Sequence, residues 1–169
     1  MFNLKTLAFA AALALASQAS MAASFNFNGS IDAGGPLPVQ AFSGQFSFDE
    51  TLLSNSGEEF LNLSAWNLLA FGNNYSFDGT DATPRAAFFD GTLLGVEVSY
   101  SASTPAVAMI SSPFGVADAY LVYRTAAGLD GTGSYTISAV PEPSSWAMSL
   151  AGILALGALA RRRAIGQQR

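Results

Sequence analysis

Two stretches decide the fold: Ser24-Phe25-Asn26-Phe27-Asn28-Gly29-Ser30-Ile31 and Ala41-Phe42-Ser43-Gly44-Gln45-Phe46-Ser47-Phe48. In the first, Phe25, Phe27, Gly29 and Ile31 alternate with Asn26, Asn28 and Ser30. In the second, Phe42, Gly44, Phe46 and Phe48 alternate with Ser43, Gln45 and Ser47. Successive side chains of a strand face opposite ways, so each run gathers an aromatic row on one face and a polar row on the other. A helix would scatter the same rings around its axis. Both stretches therefore predict strands, and the Gly/Pro-rich Ala33–Pro38 between them predicts a loop.

The alternation continues downstream. Asp49–Glu59 is polar and reads as a connection with room for one helical turn. Phe60–Phe71 is strand-like, but its parity slips: Leu61, Leu63 and Ala65 share one face, and Trp66, Leu68 and Ala70 the other. A β-bulge near Ala65 or Trp66 would bring both sets inside, and a short helix is the alternative. Asn73-Asn74 reads as a turn before a short strand at Tyr75–Phe77, and 78–84 as a loop. Ala86–Phe89 and Leu93–Ser101 are joined through Asp90-Gly91, a tight-hairpin signal. Val107–Ile110, Ala119–Arg124 and Ser134–Ala139 supply three more strands, with 111–115 and 128–133 as the loops between them. Eight or nine short strands with turn residues between them predict an all-β, antiparallel β-sandwich or jelly-roll-like domain. The strands are too short for an outer-membrane barrel.

The two ends do not share this pattern. Residues 1–22 carry Lys5, an apolar core from Leu7 to Ala16, and small residues at Ser20 and Ala22. They read as a signal peptide helix cut by signal peptidase between Ala22 and Ala23. At the other end, Val140-Pro141-Glu142-Pro143 is stiff and extended, because each proline fixes its own φ and restrains the residue before it. Residues 144–160 follow without a charge, and a helix of that length spans roughly 25 Å. This reads as a single pass of the inner membrane, stopped on the cytoplasmic side by Arg161, Arg162 and Arg163. The domain between the ends, 23–139, holds eleven acidic side chains and only Arg85 and Arg124 as basic ones, a formal charge of −9. No nucleic-acid backbone would bind such a surface.

Pro-Glu-Pro, a short apolar helix, an arginine cluster and the chain end, in that order, resemble the PEP-CTERM sorting signal of bacterial exported proteins. Val140–Pro143 matches its core motif, and Trp146–Arg163 resembles its helix and basic stop. The same tail is also catalogued as an ice-binding C-terminal domain, a label that carries no information about ice. The resemblance implies recognition of the Pro-Glu-Pro region by an exosortase, a membrane-embedded cysteine protease. Release or transfer to the cell surface or extracellular matrix would follow, in bacteria that make exopolysaccharide. Ala147, Ala151 and Ala155 would let another helix approach the tail closely.

The chain has neither histidine nor cysteine, and its one lysine lies in the leader. That removes Ser-His-Asp and cysteine nucleophile schemes, lysine Schiff bases and the usual zinc ligand sets. Two carboxylates would suffice for a hydrolase, but the acids sit singly in turns (Asp32, Asp78, Asp90, Asp130) or as the adjacent pairs Asp49-Glu50 and Glu58-Glu59. Asp78, Thr80, Asp81 and Asp90 are the oxygen ligands available to calcium, with turn formation as their ordinary role. For glycan stacking the candidates are Trp66, Tyr75, Tyr100, Tyr120, Tyr123 and Tyr135. Most belong to apolar faces, and Tyr123, out of phase with Tyr120 and Val122, is expected to be exposed. Asn28, Asn62 and Asn74 stand in sequons that chance explains in an Asn- and Ser-rich chain. The expectation is a non-enzymatic exported protein without a resident cofactor. A glycan- or calcium-binding adhesin-like module of the exopolysaccharide matrix is its rival, and a carboxylate hydrolase a more distant one.

Overall fold

Phenylalanines on alternate positions build the middle of the sheet. A computed structural model of the chain describes residues 22–140 and Gly152. The expected leader up to Met21, the remaining sorting-motif residues Pro141, Glu142 and Pro143, the apolar helix (Gly152 excepted) and Arg161–Arg163 lie outside the described residues. The chain divides into two compact units between Ala139 and Val140. No helix among the described residues is long and apolar enough to cross a membrane.

Ten strands form the body: β1 (Ala22–Ile31), β2 (Ala41–Asp49), β3 (Glu58–Asn62), β4 (Ala65–Ala70), β5 (Asn73–Tyr75), β6 (Arg85–Phe89), β7 (Thr92–Tyr100), β8 (Ala106–Ile110), β9 (Tyr120–Arg124) and β10 (Asp130–Ala139). Two single 3-10 turns, Glu50–Leu52 and Val116–Asp118, interrupt the connections. All strand pairs are antiparallel, in the order β3-β6-β7-β8-β9-β10-β1-β2-β4-β5. The all-β antiparallel expectation holds, and its realisation is one open sheet curled on itself. The curl shows in contacts between strands far apart in that order: Phe48 of β2 meets Phe88 of β6 edge-on at 5.1 Å, and Trp66 of β4 bonds Tyr100 of β7.

The inner face carries one core. Phe27, Phe46, Phe48, Leu68, Val96, Met109 and Leu121 are essentially excluded from water. Phe27 stacks on Trp66 at 5.4 Å and Phe25 on Phe46 at 5.2 Å, offset geometries that favour aromatic pairs beyond their buried area. Close packing needs space. A Cβ on Gly44 would strike the Phe27 ring and the Asn67 carbonyl, and one on Gly131 would strike the Tyr123 ring.

Four local expectations are corrected. Phe60–Phe71 is neither one bulged strand nor a helix. Glu58–Asn62 pairs with β6, Ala65–Ala70 pairs with β2, and the Leu63 and Ser64 amides bond the Pro84 and Ser47 carbonyls as the chain crosses over. The parity slip marks a change of partner, so Leu61, Leu63, Trp66, Leu68 and Ala70 are all buried. The bulge lies instead between β6 and β7, at Leu94 before Gly95 (φ 140°), where it lets Ala86, Ala87 and Phe88 all be buried. Asn73 and Asn74 belong to β5; the turn is Phe71-Gly72, both at positive φ. Residues 130–133 are strand rather than loop, because Gly131 and Gly133 serve close packing and not a turn.

Candidate functional site

The register of the central strands places the ends of the domain. β1 pairs with β10 from Phe25↔Ala139 to Ile31↔Gly133, so the first and last strands are neighbours in mid-sheet. The chain enters and leaves at the same pole. Ala22 and Ala23 are the first residues of β1, opposite Asp49 and Phe48 of β2. A cut between them would leave Ala23 starting the strand. Ala139 is the last residue of β10, and half-buried Val140 is the last described residue before the Pro-Glu-Pro segment.

The opposite pole carries an open groove of about 780 Å³. Ala106, Ala108 and Val122 contribute apolar side chains to it, while Asp32, Asp81 and Arg124 are among its polar ones. Each polar group is tied down. The Thr132 hydroxyl donates to Asp32 at 2.7 Å, and Ser101 donates to Asp81 from its amide and hydroxyl at 2.9 and 2.6 Å. Arg124 clasps Asp130 through two bonds of 2.6 and 2.9 Å. The hydroxyls of Ser101 and Ser99 hold the Asp81 carboxyl below its ordinary value, and the Arg124 guanidinium does the same for Asp130. The other basic side chain of the domain, Arg85, pairs with Glu97 at 2.7 Å.

The calcium candidates do not converge. Asp81 is engaged with Ser101, and Asp90 accepts the Gly57 amide at 2.7 Å. Thr80 donates to the Phe77 carbonyl, and the Asp78 amide bonds the Ser76 hydroxyl. Among the described residues no group of three or more acidic side chains is placed to hold a metal ion. Of the aromatic candidates, Trp66, Tyr75, Tyr100 and Tyr135 are buried as expected. The expectation for Tyr123 is reversed. Tyr123 is 2% exposed, lies against Gly131 and accepts the Leu37 amide at 3.3 Å, whereas Tyr120 is 38% exposed. Arg124 shares a phase with Tyr120 and Val122, and that was the signal that this is the outer face. Asn28, Asn62 and Asn74 are exposed. The sequence reading missed the groove, whose walls come from separate turns.

Residues 139–164 match the family model of the PEP-CTERM protein-sorting motif. No curated protein and no solved structure matches the chain. The chain thus carries a sorting motif that implies export and processing by an exosortase, with a surface or extracellular destination.

Proposed function

We propose that this chain, with its sorting motif set directly behind the last strand of an all-β body, is a non-enzymatic protein of the cell surface or extracellular matrix. Signal peptidase cuts it between Ala22 and Ala23. A helix over 144–160 then holds it for a time in the inner membrane, with Arg161–Arg163 on the cytoplasmic side. An exosortase acting near Pro141-Glu142-Pro143 ends that stage. The observation that carries the reading is the match over 139–164, which begins where the folded strand ends. The roles of the parts separate physically. The prolines keep the segment out of sheet and helix, the apolar run sets depth, and the arginines stop transfer. The body is cargo: the ionisable side chains described above sit in turns or salt bridges. Replacing Pro141 and Pro143 with alanine should leave export intact and retain the protein in the inner membrane. Release of that double variant at the normal rate would refute the reading.

A second reading, a glycan-binding role for the body, is favoured by the groove. It lies at the pole away from the chain ends, and its apolar side chains are flanked by hydroxyls and carboxylates suited to sugar hydroxyls. Retention on the host's own polysaccharide should be lost in Ala108→Arg with the fold intact. If neither the natural protein nor the variant is retained, this second reading fails.

A further inference from the structure

The sorting motif leaves almost no slack between itself and the sheet. β10 is ordered to Ala139, which pairs with Phe25, and Val140 alone separates that pair from Pro141. An extended chain advances at most about 3.6 Å per residue. With β10 fully zipped, the motif is therefore held within a few residues' length of a folded pole. The family match itself starts on the strand, at residue 139. A protease that takes up an extended substrate needs free backbone on both sides of the bond it cuts, and the last residues of β10 have theirs committed to β1.

Those last residues also belong to the half of the strand that has a partner on one side only. β9 accompanies β10 only from Asp130 to Ser134, so Tyr135–Ala139 pair with β1 alone. Within that stretch Tyr135 is buried, Ile137 is half-buried, and Ser138 and Ala139 are exposed. Of the final three pairs, Phe27↔Ile137, Asn26↔Ser138 and Phe25↔Ala139, β10 contributes one side chain that packs on the core, Ile137, while Ser138 and Ala139 add no buried surface of their own. Local opening is least costly where buried contacts are few. Cleavage of a locally opened state then tracks the open population when reclosing is fast.

Resting on the sorting reading above, we propose that the exosortase substrate is not the Pro-Glu-Pro segment alone: Ile137–Ala139 must part from Phe25–Phe27 before the sorting bond can be cut. The end of β10 is a latch. The domain is processed from a transiently unzipped state, and the residues that close the sheet also set the rate at which the protein leaves the membrane. Because β10 sits between β9 and β1, it rezips once the tail is gone.

The test uses the full-length precursor in membranes that hold the exosortase, with loss of the tail read by intact mass. Asn26→Cys with Ser138→Cys places a thiol pair on directly opposed exposed positions. The chain has no other cysteine, and opposed antiparallel residues lie within disulfide reach. The oxidised variant should be processed at least tenfold more slowly than the same variant after reduction, which is its own control for folding. Six Gly/Ser residues inserted between Ala139 and Val140 should restore processing to the oxidised form and leave the unlocked chain at least as fast as the parent. Normal processing of the oxidised, spacer-free form would overturn the latch, as would failure of the spacer to rescue it. The Pro141→Ala, Pro143→Ala variant reports separately: normal processing there sinks the sorting reading, and its block leaves the disulfide result to decide the latch.

Discussion

Tyr100→Phe removes one oxygen from the point where the curled sheet is tied together. The Trp66 indole N–H on β4 donates to the Tyr100 hydroxyl on β7 at 2.6 Å, and that hydroxyl donates onward to the Ser76 carbonyl. Trp66 is 5% exposed and Tyr100 2%, so water cannot replace the lost acceptor at the indole. A buried polar group left unpaired costs about 1–3 kcal/mol. The Ser76 carbonyl is only part-buried and contributes the smaller share. We expect a total of about 2–4 kcal/mol, a large part of a typical domain's ~5–15 kcal/mol. For a body of about 120 residues that lowers the Tm by roughly 8–16 °C. The Tyr75–Tyr100 ring contact at 4.9 Å stays in place, so packing is nearly constant across the change. The assay is urea unfolding of the mature protein, followed by far-UV circular dichroism, for the parent, Tyr100→Phe, Trp66→Phe and the double variant. In the Trp66→Phe background no indole remains to be orphaned, so the second substitution should cost roughly 1–3 kcal/mol less than it does alone. A Tyr100→Phe loss under about 0.5 kcal/mol, or strict additivity in the cycle, would show that the pair does not carry the load assigned to it.

How much of this was legible beforehand follows from what alternation can and cannot encode. Phe27, Phe42, Phe46 and Phe48 announced the core because neither run exchanges one neighbouring strand for another along its length. Asp90-Gly91 announced its hairpin because both residues take positive φ, at 47° and 75°, and the residue types for that are few. The crossover at Leu63-Ser64 was illegible as such. A period-two pattern records which face is buried but not which strand lies alongside, so a change of partner looks the same as a bulge. Phe71-Gly72 was masked by the more turn-like Asn73-Asn74 beside it. Gly131 and Gly133 read as loop because glycine's usual signal is a turn, while here its role is to leave room for Tyr123 and Phe42.

The functional half divides the same way. The sorting motif is contiguous, so its order and spacing survive in the linear chain. The groove is assembled from residues as far apart as Asp32, Asp81, Ala106 and Asp130, brought together only by the strand order. The closeness of the two ends was likewise unreadable, because nothing in Phe25 or Ala139 says that they face each other. Once known, it changes the meaning of the motif from a free tag to one attached at a seam.

Two further outcomes are expected. Gly44→Ala should destabilise by about 1–3 kcal/mol, since its methyl meets a backbone carbonyl and the Phe27 ring, and a neutral result would show that β2 and β4 can separate freely. Alkaline pH should loosen the core through Tyr135. That side chain is 3% exposed, and burial pushes its hydroxyl up to about 12; burial raises Tyr100 as well. A folded-state value above the unfolded one of about 10 means that the fold favours the neutral phenol. The contribution from Tyr135 is therefore complete below pH 10 and is lost as pH rises from 10 towards 12. At about 1.4 kcal/mol per pH unit this amounts to roughly 3 kcal/mol. Unfolding midpoints measured from pH 8 to 12 should fall steeply in the parent and less so in Tyr135→Phe, which has no proton to lose at that position. Equal slopes in the two proteins would place the alkaline sensitivity elsewhere and remove Tyr135 as its cause.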